Sequence, residues 1–268
     1  MNVSAHPHTS LDLPAISSLS TEPILFTQVP ALDTVHDKLV SFIDGAPSLP
    51  NPSKIKDDLA QNVFPWLKQR YVQKSKAAPN YTVVDAFKQT TTALVAYLPA
   101  ASVFPLLDIW RLAILEPAIT QASLAPLVQV LTSTNQSLSS SPRATLLTLL
   151  RLSTNALGSS SPLSRSLLTT ADVRARAALT GVLINTLLHP DRLVRVAAAS
   201  LAFNVGAWVQ RGRVARVRGK EVLDGIRDGE EDGEWEVELV SAVVEALASE
   251  EESEDAGEWS PPPPIMLL

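Results

Sequence analysis

Residues 104–119 read FPLLDIWRLAILEPAI, and the helix that they predict is apolar on nearly every side. Between Phe104 and Leu115 only Asp108 and Arg111 are polar. A surface helix is polar along much of its circumference, so we expect this helix to be buried between others. A buried charge must be paired with another group or must point into a groove. Asp108 and Arg111 either pair within the helix or present the Arg111 guanidinium to a carboxylate in a groove, with Asp108 orienting it. The two interpretations are compatible.

The composition favours a helical protein without thiol chemistry. The chain has 268 residues, enough to bury a sizeable core, and 20 prolines with 10 glycines indicate many helix starts and stops rather than tight hairpins. It has no cysteine, which excludes disulfides, thiolate zinc sites and cysteine nucleophiles. No signal peptide and no apolar run long enough to span a membrane stand out. We therefore expect a soluble intracellular protein, cytoplasmic or nuclear, without a membrane partner.

The net charge of −6 conceals a strong asymmetry between the body and the C-terminal tail. Residues 228–268 hold 14 acids and no Lys or Arg, so residues 1–227 hold 28 − 14 = 14 acids and all 22 bases. The body is thus +8 and the tail −14. This pattern indicates a basic surface with an acidic appendage.

The order of the segments predicts one helical domain between two unstructured ends. Residues 1–31 are rich in Pro, Ser and Thr and are assigned to a disordered linker, 32–250 to an all-α domain, and 251–268 to a disordered acidic, proline-rich tail. The β-branched run VQVLTST is the best strand candidate. The basic run VQRGRVARVRGK is interpreted as a loop between helices.

Two helices resemble each other and suggest a helical repeat. LLRLSTNALG and AASLAFNVGA align with Leu152 over Leu201 and Asn155 over Asn204, an offset of 49 residues. A helical pair that recurs every 40 to 50 residues or so is typical of HEAT and armadillo solenoids, although an irregular helical bundle is the alternative. In armadillo-type repeats such an Asn points into the concave groove and can hold a peptide backbone. The alternative is a side chain that is bonded locally.

Three motifs in this order, FPLLDIWRLAIL, LLRLSTNAL and LVRVAAASLAFNV, resemble the PUL domain. That domain lies at the C-terminus of phospholipase A2-activating protein, and in fungal proteins it occurs together with thioredoxin or PPPDE-type peptidase domains. A thioredoxin motif is impossible here without cysteine. The residues that match the family pattern are Phe104, Pro105, Leu107, Asp108 and Arg111, then Arg151 and Asn155, then Arg195, Ala197, Ala198 and Asn204.

The resemblance implies an armadillo-like right-handed superhelix that acts by binding a protein. Its basic concave groove would receive the acidic, aromatic-containing C-terminal tail of a valosin-containing-protein-type AAA ATPase and so serve ubiquitin-dependent protein processing. The charge agrees, because residues 143–227 hold 13 bases and 4 acids. The expected groove residues are Arg111, Arg151, Asn155, Arg195 and Asn204, and Phe104, Pro105, Leu107 and Asp108 are expected to be structural.

The C-terminal end departs from the family pattern, in which a further helix follows the acidic stretch. Here the chain continues as EESEDAGEWSPPPPIMLL, so we expect the last capping helix to be missing. The acidic segment has two interpretations. Either residues 234–249 form a helix that packs as the last repeat, or GEEDGEWEVE or EDAGEWS occupies the basic groove of its own chain.

Catalytic and metal sites find little support in the sequence. The four histidines are His6, His8, His36 and His189, without the spacing of a metal site, and there is no G-x-S-x-G and no P-loop. We expect a monomer that is not an enzyme and has no cofactor and no metal. The alternative functions are a general helical-repeat scaffold and a nucleic-acid-binding domain that uses the basic run.

Overall fold

The computed structural model of the protein describes residues 22–158, 167–168, 173–217 and 233–251. These ranges contain helices and no β-strand. The ten α-helices are α1 (Leu32–Asp44), α2 (Pro52–Asp58), α3 (Phe64–Leu67), α4 (Tyr81–Tyr97), α5 (Phe104–Ala113), α6 (Pro117–Gln136), α7 (Arg143–Gly158), α8 (Val173–Leu187), α9 (Arg192–Val217) and α10 (Glu234–Glu251). Short π-helical segments, Leu59–Val63 and Lys68–Val72, flank α3, and a 3₁₀ turn spans Leu138–Ser140.

The helices stack in two layers, each packing on the helix two positions away. The inner layer runs from α5 to α7 to α9, and the outer layer runs from α4 through α6 and α8 to α10. This is an armadillo-like α-solenoid, which confirms the all-α prediction. The strand candidate VQVLTST was wrong, because its residues lie within α6, where Val130 and Leu131 are buried.

Several prolines begin helices. Pro105 and Pro117 stand in the first turns of α5 and α6, where the missing N–H would have no partner in any case. Pro65 occupies the same position in α3. Asn80 caps α4 by accepting a hydrogen bond from the backbone N–H of Val83 at 2.9 Å.

Helix α5 lies at the centre of the core, as its composition predicts. Its Trp110 ring is fully buried and makes an edge contact with Phe87 of α4, with ring centroids 6.4 Å apart. The other fully buried side chains of this helix are Leu106, Leu107, Ile109, Leu112 and Ala113. Arg111 is only 4% exposed, so its charge depends on partners inside the protein.

Helix α9 is longer than the sequence suggested. Residues 211–217 continue it, so the interpretation of the basic run as an inter-helix loop was wrong for this part. Residues 218–220 of the run lie outside the described ranges. The stretch Arg192–Gly212 is long and apolar enough to cross a membrane, but half of it is buried and the helix packs on α7 and α8. It is therefore a core helix.

The C-terminal helix α10 packs on α8 as the last helix of the outer layer. Leu239 and Ala242 are buried in this contact, and the Arg176 guanidinium lies 5.8 Å from the centre of the Trp235 ring. This confirms that residues 234–249 pack as a repeat helix. The other proposed competitor for the groove, EDAGEWS, lies outside the described residues.

Candidate functional site

The inner helices present one row of polar side chains to the concave side. Arg111 of α5, Asn155 of α7 and Asn204 of α9 are all nearly inaccessible to water. Asn155 Nδ2 donates to the backbone oxygen of Arg111 at 2.6 Å, and Asn204 Nδ2 donates to that of Thr154 at 2.9 Å. Each asparagine thus bonds its helix to the preceding inner helix. Asn155 and Asn204, 49 residues apart in the sequence, occupy equivalent positions on successive inner helices, and we call this row of side chains the asparagine ladder.

Residues 22–31, which we call the strap, lie along this ladder. The backbone N–H of Ile24 donates to Asn204 Oδ1 at 2.8 Å, and Asn204 Nδ2 donates back to the Ile24 oxygen at 2.9 Å. Asn155 makes the same pair of bonds with Phe26, at 2.7 and 3.0 Å. The asparagines therefore hold every second residue of an extended segment of their own chain. The sequence had assigned residues 1–31 to a linker, and the described part of it is instead bound to the solenoid.

Arg111 binds the next part of the strap, and its contacts show how the charges of this apolar helix are paired. Its Nη1 donates to the Phe26 oxygen at 2.8 Å and its Nη2 to the Gln28 oxygen at 2.7 Å. Its Nε donates to Asp108 at 2.7 Å within α5. Both interpretations were partly correct, because the pair forms and the guanidinium also acts as a fork in the groove. The fork holds two backbone oxygens of the strap rather than a carboxylate.

Gly158 at the end of α7 gives the strap room. A Cβ atom at this position would lie 2.5 Å from Cδ2 of Leu25 and 3.2 Å from Cβ of Pro23. Its lack of a side chain allows the strap to approach the inner layer closely.

Arg151 of α7 carries a positive charge beside the strap. Its guanidinium lies 5.4 Å from the centre of the Phe26 ring, and its buried Nε has no hydrogen-bond partner. Burial, and then the nearby charge of Arg111, lower the pKa of Arg151 from its usual value, and the Asp108 carboxylate opposes this shift. In the described part of the chain no carboxylate forms an ion pair with it. The groove therefore keeps a partly desolvated positive charge beside an aromatic ring.

The structure does not bring Arg195 into this groove. Arg195 lies nine residues before Asn204, which is two and a half helical turns, so the two side chains leave opposite sides of α9. Arg195 forms an ion pair with Glu250 of α10 and donates to the backbone oxygens of His189 and Pro190. It joins the last two helices instead of facing a ligand.

The residues expected to be structural do build α5. Pro105 and Leu107 are buried, and the half-buried Phe104 ring makes an edge contact with Phe42 of α1 at 6.1 Å. Asp108 orients Arg111. Within the described ranges, no group of three His, Asp or Glu side chains comes close enough to hold a metal ion.

Sequence reasoning missed the strap, which has a weak signal of its own. Ile24, Phe26 and Gln28, the residues whose backbone groups are bonded, alternate along the chain with the two-residue period of an extended strand. The apolar run PILF within a proline-rich segment was the indication that this stretch contacts a core.

Comparison with known families agrees with this architecture. The PUL domain model matches residues 20–258, a span that includes both the strap and α10. No curated protein matches the chain. Because the family model covers most of the sequence, the chain belongs to the PUL domain family, a family of protein-interaction modules.

Proposed function

We propose that the groove beside the strap binds the acidic C-terminal tail of a valosin-containing-protein-type AAA ATPase. Through that contact the protein would serve ubiquitin-dependent processing in the cytoplasm or nucleus. The observation that carries the proposal is the partly buried guanidinium of Arg151, which forms no ion pair among the described residues of this PUL domain and whose Nε has no hydrogen-bond partner. A carboxylate can supply both an ion pair and an acceptor for that Nε.

The strap determines which groups remain for a ligand. It already bonds to Arg111, Asn155 and Asn204, whose side chains are almost completely buried. An incoming peptide therefore binds next to the strap rather than on the asparagine ladder. Arg151 and the ring of Phe26 are then its nearest polar and aromatic contacts in the groove.

The chemistry of an acidic, aromatic-containing tail suits these contacts. A carboxylate at Arg151 would gain a charge-assisted hydrogen bond in a partly desolvated site, where electrostatic attraction is stronger than in water. An aromatic side chain of the tail can stack on the guanidinium plane, beside the Phe26 ring whose centre lies 5.4 Å away. The surplus of 13 bases over 4 acids in residues 143–227 adds a long-range attraction that salt would weaken.

The test uses a fluorescent peptide with the acidic, aromatic-containing C-terminal sequence of the ATPase. Fluorescence anisotropy measures its affinity for the full chain, for Arg151→Glu and for the matched control Arg174→Glu. Arg174 is an exposed arginine on α8, in the outer layer, so both variants change the net charge equally. We expect Arg151→Glu to lose at least about tenfold in affinity, or about 1.4 kcal/mol, and Arg174→Glu to lose little.

Two further measurements make the test decisive. Circular dichroism checks that Arg151→Glu keeps the helical content of the parent chain, and Arg151→Ala removes the charge without adding an acid. Equal affinities for Arg151→Ala, Arg174→Glu and the parent chain would move the site away from Arg151. Undiminished binding of a peptide without its last residues would refute recognition of the C-terminal tail.

A further inference from the structure

The outer face of α10 carries an exposed aliphatic stripe. Val237, Val240, Val244 and Leu247 are each 60–66% exposed. Their spacing of three, four and three residues places them on one side of the helix. The opposite side packs on α8 through Leu239 and Ala242. The helix is therefore apolar on two sides, as a helix inside a stack would be.

Helices α9 and α10 are the last two helices of the described solenoid, and α9 also leaves apolar side chains exposed. Helix α9, which contacts α10, leaves Val196 43% and Phe203 39% exposed. In a helical repeat protein each pair of helices buries its apolar face against the next pair. Among the described residues no helix packs beyond α9 and α10. Together they form an open end that fits one more helix.

The charges around the stripe determine what kind of helix fits. Glu234, Glu238 and Glu245 are exposed on the same helix, and the sequence has no Lys or Arg after Arg227. A second copy of this chain would bring like charges together, which is unfavourable. A helix whose apolar residues are flanked by Lys or Arg meets both the stripe and the acids with complementary groups.

We infer that the acid-flanked aliphatic stripe of α10 binds a basic amphipathic helix of a partner protein. The partner presents apolar residues at i, i+3, i+7 and i+10, with basic residues beside them. The exposed stripe covers on the order of a few hundred Å², less than the roughly 800 Å² per partner of a stable interface. The association is therefore weak and reversible. It is independent of the groove, which takes an acidic ligand.

The experiment uses the full chain and a model peptide of about 15 residues with Leu at these four positions and Lys beside them. A scrambled peptide of the same composition controls for charge. Isothermal titration calorimetry should show micromolar binding of the model helix and at least about tenfold weaker binding of the scrambled peptide. The double variant Val240→Ser, Val244→Ser should lose at least about tenfold in affinity. The matched control, Val72→Ser with Val173→Ser, changes two valines that are as exposed but lie on other elements, and should bind like the parent.

Several outcomes would overturn the inference. These are equal binding of the scrambled peptide, equal losses in both double variants, or no binding to the full chain. Binding only after truncation behind Glu251 would mean that residues 252–268 cover the stripe. Sedimentation that shows a dimer abolished by Val240→Ser, Val244→Ser would identify a second copy as the occupant. The affinity for the acidic peptide should stay unchanged in this variant, which separates failure here from failure of the groove proposal.

Discussion

Replacing Asn155 by Ala tests the attachment of the strap most sharply. Asn155 is fully buried and makes three hydrogen bonds through its side chain. It accepts from the Phe26 N–H at 2.7 Å and donates to the Phe26 oxygen at 3.0 Å and the Arg111 oxygen at 2.6 Å. Alanine removes all three, while the Phe26 oxygen keeps its bond to Arg111.

The cost follows from these contacts. Each hydrogen bond contributes about 1 kcal/mol net, and a buried group left without a partner costs about 1–3 kcal/mol. Local release of the strap lets water reach the Phe26 N–H, which limits the loss. We therefore expect Asn155→Ala to lower the free energy of unfolding by about 2–4 kcal/mol.

Urea denaturation measures this loss, and hydrogen exchange locates it. The Phe26 amide should exchange at least about thirtyfold faster in the variant, the rate change that corresponds to 2 kcal/mol. The matched control is Asn185→Ala, because Asn185 is exposed and bonds only to the Gly181 oxygen within its own helix. It should change the free energy of unfolding by less than about 0.5 kcal/mol.

If Asn155→Ala lowered the free energy of unfolding by no more than Asn185→Ala does, the three hydrogen bonds of Asn155 would not stabilise the fold. An unchanged exchange rate of the Phe26 amide would show that Asn155 does not hold the strap.

Three other expectations follow from the packing and the electrostatics. Leu107→Ala should lower the free energy of unfolding by about 2–5 kcal/mol, and Phe104→Ala by less because its ring is only half buried; urea denaturation checks both. Gly158→Val should speed exchange of the strap amides, because even a Cβ there meets Leu25. Burial and the Glu116 carboxylate raise the pKa of Tyr71, so stability should fall as pH rises above about 10, where an unfolded tyrosine ionises. Tyr71→Phe should make that fall shallower, and an equal slope would contradict the assignment.

The fold could be predicted because its main signals are local. The nearly uniform apolar composition of α5 indicated a central buried helix, and Trp110 and Leu107 are fully buried in it. The offset between Asn155 and Asn204 indicated a repeat, and the two side chains do occupy equivalent positions on successive inner helices. Periodicity in helices and the spacing of similar residues are both visible along a single chain.

The site could be predicted only in part, because it depends on contacts distant in sequence. Arg195 was grouped with Asn204 by its motif, but helix geometry places the two on opposite sides of α9. The strap bonds to residues more than 80 positions away, and an extended segment of ten residues shows no helical period. The strap also bonds to Arg111, Asn155 and Asn204, which had been predicted to bind a ligand.

An NMR titration of the full chain with the acidic, aromatic-containing peptide tests the proposed binding site at Arg151 most directly. It follows the Arg151 Nε–H signal and the amide exchange of Ile24 and Phe26. The Arg151 signal should shift on binding, because its Nε gains the hydrogen-bond acceptor that it lacks, while both strap amides should stay protected. Loss of protection at Phe26 would show that the peptide replaces the strap. Saturable binding that leaves the Arg151 signal unmoved would contradict the proposed site.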